Sequence, residues 1–264
     1  MASPYKNTLD KIVWSFSTLH MYELCPYSFY LYKIEEREGT SNFYAENGKV
    51  MHKIFQLLEE EKISLDEAPV KYLAFYNQIT DYTKMSTMDK IFDSCLDYLC
   101  ICDDTFLKKY EVIWIERKLS FKIGSRNFIG FVDLLLRNKL TDDLILVDHK
   151  SSPSFFKKDG SILKSQEENF TAYSHQMYLY CKGIKDEIGD YPNKIVWHHF
   201  KDNGKLSIID FNENNLIECV VWAKRIISKI YKDRLFKERS TYMQCRELCN
   251  YRFECDYNIR KAVR

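Results

Sequence analysis

Two aspartates and a lysine stand inside otherwise apolar runs of strand length. The first run reads Asn127-Phe-Ile-Gly-Phe-Val-Asp133-Leu-Leu-Leu, and the second Leu144-Ile-Leu-Val-Asp148-His149-Lys150. The polar stretch Asn138–Asp143 between them has the composition of a hairpin turn. If that turn is centred between Leu140 and Thr141, Asp133 faces Asp148 across the ladder. Directly opposed side chains have Cβ atoms about 4.5–5.5 Å apart, where like charges repel. A shared divalent cation is a chemical reason for such a pair, because hard cations take carboxylate oxygens. Lys150 follows Asp148 by two residues, so a strand directs both to one face. Two acids and an amine are thus expected to converge on one spot, with a metal ion among them.

Other chemistry-bearing residues are spread along the chain. Glu116 stands in the apolar–aromatic run Val112-Ile-Trp-Ile-Glu116, where an unpaired carboxylate is costly. His52 lies in an amphipathic helical pattern after Gly48, and neutral imidazole binds transition metals well. Gln176 and Tyr180 are four apart in a helical stretch and share a face. The chain has 9 cysteines, an odd number that argues against a disulfide framework. Cys95, Cys100, Cys102, Cys181 and Cys219 read as small buried hydrophobes. Cys245, Cys249 and Cys255 crowd the C-terminal end and, with Cys25, make four thiols, the complement of a 4Fe–4S cluster or a structural zinc.

These motifs resemble the PD-(D/E)XK nuclease superfamily, and within it the RecB-type nucleases, including AddB-type and CRISPR-adaptation nucleases. The resemblance rests on Asp133 with Asp148-His149-Lys150, on Ser15-Phe-Ser17-Thr-Leu19 followed by Cys25-Pro26-Tyr-Ser-Phe29, on Gly48-Lys-Val-Met-His52, on Gln176 with Tyr180, and on the terminal cysteines. It implies a restriction-endonuclease-like α/β fold pinned by an iron–sulfur subdomain. It implies Mg2+ or Mn2+ held by Asp133, Asp148, His52 and the backbone carbonyl of His149. Lys150, Gln176 and Tyr180 would serve catalysis, with Glu116 an extra acid or the partner of a base, and Cys25, Cys245, Cys249 and Cys255 would hold a 4Fe–4S cluster. One departure is visible: three residues separate Cys245 from Cys249, where the family has two.

To position these groups the pattern supplies strands near 111–123, 127–137, 143–150, 193–201 and 205–211, forming one mixed sheet. Helices are expected over 17–33 (with Ser17 as N-cap and a break or new start at Pro26), 43–62, 166–185 and 212–237. Residues 63–108 read as a helical insertion, 151–164 as a mobile polar loop, and 238–264 as the cysteine segment of a single domain spanning 1–264. His198 and His199 alternate across their strand and so do not form a ligand pair.

The 264 residues, 45% hydrophobic and 29% charged, describe a globular chain, with no apolar run long enough for a membrane span and no signal-peptide pattern, so a cytoplasmic location is expected. A net charge of +1 gives no global field for nucleic acid, although a local basic groove would suffice. The expected activity is metal-dependent DNA cleavage, as an exonuclease on single strands or DNA ends, in recombination, repair or CRISPR spacer acquisition. A helicase or adaptation integrase would be a separate chain. The alternatives are a catalytically silent nuclease-like module that binds DNA or a partner, and a small redox protein, which would leave the Asp-x-Lys hairpin unexplained.

Overall fold

The computed structural model describes residues 4–80, 85–103, 109–239, 241 and 243–255. Five strands, β1 (Tyr110–Ile123), β2 (Arg126–Asn138), β3 (Leu144–Lys150), β4 (Lys194–His199) and β5 (Lys205–Asp210), form one sheet in sequential order. The β3–β4 pair is parallel and the others antiparallel, so the sheet is mixed, as expected. Parallel pairing needs a long crossover, and the helix Glu167–Ile188 supplies it. In chain order the helices are α1 (Lys6–Leu9), α2 (Phe16–Leu24), α3 (Pro26–Lys33), α4 (Phe43–Glu59), α5 (Ala68–Tyr76), α6 (Met85–Ile101), α7 (Glu167–Ile188) and α8 (Glu213–Lys232). None is long and apolar enough to cross a membrane.

Two apolar cores hold these elements. The larger lies between one sheet face and helices α2, α3, α7 and α8, with Trp14, Phe29, Phe128, Val132, Leu146, Met177 and Trp197 fully or nearly fully buried. The second joins α4, α5 and α6 through Met51, Ile54, Phe55, Tyr72, Ile91 and Leu99, with Phe200 from the end of β4. The 63–108 stretch thus contributes α5 and α6, packed on α4; residues 81–84 and 104–108 lie outside the described residues.

Several local expectations shift. The N-cap of α2 is Ser15, whose Oγ accepts from the Thr18 amide at 3.2 Å, and not Ser17. Pro26 opens a separate helix at its first turn, so 17–33 is two helices. The loop 151–164 is anchored rather than loose: Phe155 is fully buried, its amide donates to Ser207 Oγ, and Phe156 bridges to Ile162. Cys100 is exposed and Cys102 half-buried, while Cys95, Cys181 and Cys219 are buried as expected.

The C-terminal segment, centred on a single π-helical turn (Gln244–Leu248), folds back onto residues 37–42, which lead into α4. Arg252 donates to the carbonyls of Thr40 and Ser41, and Tyr251 to that of Arg37. Asn42 joins the two: its Oδ1 caps α4 by accepting from Ala45 N at 2.9 Å, and its Nδ2 donates to Leu248 O at 2.8 Å. Replacing Asn42 by Ala removes a cap and leaves a part-buried carbonyl without its donor. Chemical denaturation should therefore show a loss of about 1–3 kcal/mol, and limited proteolysis should cut the C-terminal segment faster.

Candidate active site

β2 and β3 pair in the expected register through Leu134↔Val147 and then separate. At the next position the Asp133 carboxylate replaces the ladder: its Oδ2 accepts the His149 amide at 2.8 Å. On the other side of β2, Ile115↔Leu134 and Arg117↔Val132 flank a Glu116–Asp133 position where no pair forms. Glu116 has φ 47°, a left-handed conformation unusual for a side-chain-bearing residue. The faces of β2 also exchange here. Phe128 and Val132 enter the main core and Gly130 abuts Tyr180, all even-numbered; beyond Asp133, odd-numbered Leu135 takes that side while Leu134 and Leu136 join a small cluster on the opposite face. The register is the same on both sides of the interruption, so both strands turn over together. The outcome is three carboxylates, Glu116, Asp133 and Asp148, in line across three neighbouring strands.

His52, from the middle of α4, reaches this row. Its Nδ1 lies 3.4 Å from Asp133 Oδ2 and 4.0 Å from Glu116 Oε1, and its ring also interacts with the His149 backbone. Single ligand atoms of His52, Glu116 and Asp133 all lie within 4.8 Å of one another. On the Asp148 side, Lys150 Nζ is 2.6 Å from Asp148 Oδ2 and 4.4 Å from the centre of the Tyr173 ring. It donates to Gln176 Oε1 at 3.0 Å, and Gln176 Nε2 donates in turn to Tyr180 OH at 2.9 Å. This chain fixes the carboxamide with its oxygen toward the ammonium. A Cβ on Gly130 would meet the Tyr180 ring at 2.5 Å, so this position in β2 has room for glycine alone.

Electrostatics separate the members of the site. Burial, then Asp133 and Glu59, raise the pKa of Glu116 to about 7. Burial and Asp133 also raise that of Asp148, against the pull of Lys150. Lys150 is held charged because Asp148, Tyr173 and Asp133 together outweigh its own burial. Burial lowers the pKa of His52, leaving a neutral imidazole with a lone pair to offer. One ammonium faces three carboxylates. Asp148 Oδ2 is buried and takes no aligned hydrogen bond, with the Lys150 ammonium beside it. A hard divalent cation fits the group of His52, Glu116 and Asp133, whereas Asp148, with Lys150 against it, lies outside that 4.8 Å grouping.

The His149 side chain points away from the carboxylate row. Its Nε2 is 2.8 Å from Glu59 Oε1 and its Nδ1 2.8 Å from His198 Nδ1. Neither Glu59 nor His198 stands out in the sequence by motif. The signals were positional: Glu59 follows His52 by two helical turns, and the parallel β3–β4 pairing sets His149 beside His198. His199 faces the other way, to Ser152 and Ser207, so the two adjacent histidines are indeed not a pair.

Far from this site, Cys25, Cys245, Cys249 and Cys255 line one cavity with Tyr27, Ser28 and Arg252. Burial raises the pKa of Cys249 to about 11, with contributions from each of the other three thiols. No disulfide joins any of the nine cysteines. Four thiols lining one cavity suit a metal cluster in kind, although no three of their sulfurs lie within 4.8 Å of one another.

On this α/β scaffold a mixed sheet with an interrupted hairpin carries a carboxylate row and a lysine two residues after the last acid. The chain belongs to the PD-(D/E)XK nuclease superfamily, whose family model matches residues 13–258. Among solved structures it is similar to a candidate exonuclease from Eubacterium rectale, with a TM-score of 0.51 and 14% identity, covering 97% of this chain and 90% of that one. At that identity the likeness establishes the shared fold. No curated protein sequence matches significantly.

The raised pKa of Glu116 has a consequence for stability without metal. A folded-state value of about 7 against an ordinary 4.5 means the folded protein binds this proton more tightly than the unfolded chain. The contribution is full below the unfolded value and is lost as pH rises through about 7. Glu116→Gln removes this dependence. In EDTA the variant should therefore gain on wild type as pH rises from about 5 to 7 and hold a constant advantage above. Thermal melts across pH check this. Added Mn2+ should reverse the order, because it stabilises the carboxylate form.

Proposed function

We propose that this protein is a metal-dependent deoxyribonuclease of the exonuclease type, acting on single-stranded DNA or DNA ends. The observation that carries the reading is the row of three carboxylates beside one ammonium, with neutral His52 over them. Like charges placed side by side in a partly buried site are costly unless a cation compensates them. Asp133, Asp148, His52 and the His149 carbonyl would hold Mg2+ or Mn2+, and Glu116 would add a carboxylate on the His52 side. When bound, such an ion supplies Lewis acidity, acidifying water and neutralising charge that builds on the phosphoryl group.

The protein's own groups have distinct tasks. Lys150, kept charged by Asp148, presents an ammonium to the scissile phosphate or to attacking water. Gln176 holds that ammonium by its carboxamide oxygen, and Tyr180 fixes the carboxamide from behind. Tyr173 offers the face of its ring to the same ammonium, which limits where it can swing. Proton transfer falls to water at the site.

The same reading assigns Cys25, Cys245, Cys249 and Cys255 to a 4Fe–4S cluster, with zinc as the other four-thiolate group of this kind. A metal there would close a loop of more than two hundred residues and constrain the unfolded chain. The expected pathways are recombination, repair or CRISPR spacer acquisition, with any helicase or integrase partner as a separate chain.

End-labelled single- and double-stranded oligonucleotides, incubated with Mg2+, Mn2+ or EDTA, test the activity and show its polarity. Asp148→Ala and Lys150→Ala should each reduce cleavage at least ~100-fold while retaining DNA binding. Wild-type turnover by either purified variant would refute the assignment, and DNA binding without cleavage by the wild type would favour the silent module. For the thiols, anaerobically purified protein should show iron–sulfur charge-transfer absorbance that Cys249→Ala abolishes; a colourless protein holding one zinc would replace the cluster.

A further inference from the structure

Behind the carboxylate row runs a continuous chain of buried and half-buried polar groups that the cleavage reaction does not use. Glu59, at the end of α4, meets His149 Nε2 at 2.8 Å. His149 Nδ1 meets His198 Nδ1 of β4 at 2.8 Å, and His198 Nε2 meets Tyr98 OH of α6 at 2.6 Å. Four elements that are distant in sequence are thereby joined through two imidazole rings. The Glu59 and His149 side chains are each 7% exposed, and burial alone would make an isolated carboxylate there expensive. Phe55 stacks on the His149 ring at 4.5 Å and closes the chain from above. Tyr98 is seated tightly as well: a Cβ on Gly204, in the β4–β5 turn, would meet its ring at 2.6 Å.

The proton inventory of the chain is constrained. With Glu59 ionised it accepts, and His149 Nε2 then carries a hydrogen. Between the two Nδ1 atoms only one hydrogen fits, and His198 then either donates to or accepts from the Tyr98 hydroxyl through Nε2. Both arrangements satisfy every ring nitrogen, so the chain holds together whichever is present. Glu59, moreover, lies two turns beyond His52 on the same helix, and His149 sits between Asp148 and Lys150 on β3. Its side chain joins the relay with its ring edge-on to that of His52 at 5.9 Å, and its backbone also interacts with the His52 ring.

We propose that Glu59, His198 and Tyr98 are positioning residues for the metal site, acting through the His149 ring. Fixing that ring fixes the plane of the peptide whose carbonyl is the fourth donor beside Asp133, Asp148 and His52. The Glu59–His149 bond simultaneously fixes the height of α4, and with it His52, over the sheet. The inference rests on the reading of the carboxylate row as a metal site and deepens it by extending its support to the α5–α6 insertion. Partners one shell out from a metal orient its ligands, and their loss costs roughly 10–100-fold in metal affinity.

The test measures Mn2+ binding to the full-length protein without DNA, by calorimetry and by the Mn2+ spin-resonance signal. Glu59→Gln and His198→Gln should each weaken Mn2+ binding roughly tenfold or more, and Tyr98→Phe a few-fold. DNA binding in EDTA should stay at the wild-type level, and excess Mn2+ should restore the cleavage rate, which a general loss of folding would not allow. Glu59 and Tyr98 do not touch. In the double variant, Glu59→Gln with Tyr98→Phe, the two effects should therefore combine to less than their product, the mark of transmission through the rings. Wild-type Mn2+ affinity in Glu59→Gln, or fully independent effects in the double variant, overturns the proposal. Should Glu59→Gln fail to fold, Tyr98→Phe, which deletes one oxygen, decides: unchanged affinity in it overturns the proposal. Asp133→Asn separates the two layers. Loss of Mn2+ in it with no effect of the relay variants sinks the relay alone, whereas Mn2+ retained as in wild type sinks the metal site and the relay with it.

Discussion

The repulsion among three carboxylates set side by side organises this molecule. Glu116, Asp133 and Asp148 occupy adjacent strands at the one level where the sheet's hydrogen-bond ladder fails on both sides of β2. The failure is compensated locally: Asp133 takes the His149 amide, Glu116 adopts a left-handed backbone, and Lys150 comes within 2.6 Å of Asp148. Strands that turn over at the site direct apolar side chains into the α7 core on one side of the row and onto the opposite face on the other. Backbone strain and interrupted pairing concentrate at functional sites because the surrounding structure can hold them there. Here the apolar residues on either side, Leu134 to Leu136 with Leu146 and Val147 toward the hairpin turn and Val132 with Leu119 beyond the row, provide that hold.

Much of this was legible beforehand, for definite reasons. Two apolar runs around a polar turn leave few registers, and the one centred on Leu140 and Thr141 is the one that forms. Asp148 and Lys150 share a face because β3 is regular, and Gln176 and Tyr180 share one because α7 is. What escaped was whatever broke a period. The face exchange at Glu116 and Asp133 obeys no two-residue alternation. Residues 151–164 looked loose because Ser, Lys, Asp and Gly dominate them, yet Phe155 was the contrary signal and is fully buried. Ser15 rather than Ser17 caps α2, a difference of two residues between equivalent side chains.

His149 is the sharpest case. In a motif written Asp-x-Lys the middle residue counts only for its backbone, and nothing local distinguishes a histidine there from any other side chain. Its partners come from α4 and from β4, 49 positions further along the chain in the case of His198. Only the parallel β3–β4 register brings His149 and His198 side by side, and a parallel pairing across a 22-residue crossover helix leaves no short-range trace. The same strand therefore reads fully on its active face and barely at all on the other.

Helix α4 shows how the distant parts bear on His52. Its first turn is capped by Asn42, which also grips the cysteine segment through Leu248 O. Its last turn is bound by Glu59 to His149. His52 sits between, so its height above Asp133 is set from both ends at once. A helix of 17 residues held at one end can tilt about that end; held at both, it can only translate by breaking one attachment. The 3.4 Å separation between His52 and Asp133 thus follows from contacts with the C-terminal segment on one side and with the sheet on the other, together with the contact of the His52 ring with the His149 backbone. The geometry of a site built from side chains of one helix and three strands is thus imposed from outside the row of acids whose mutual repulsion would otherwise open it.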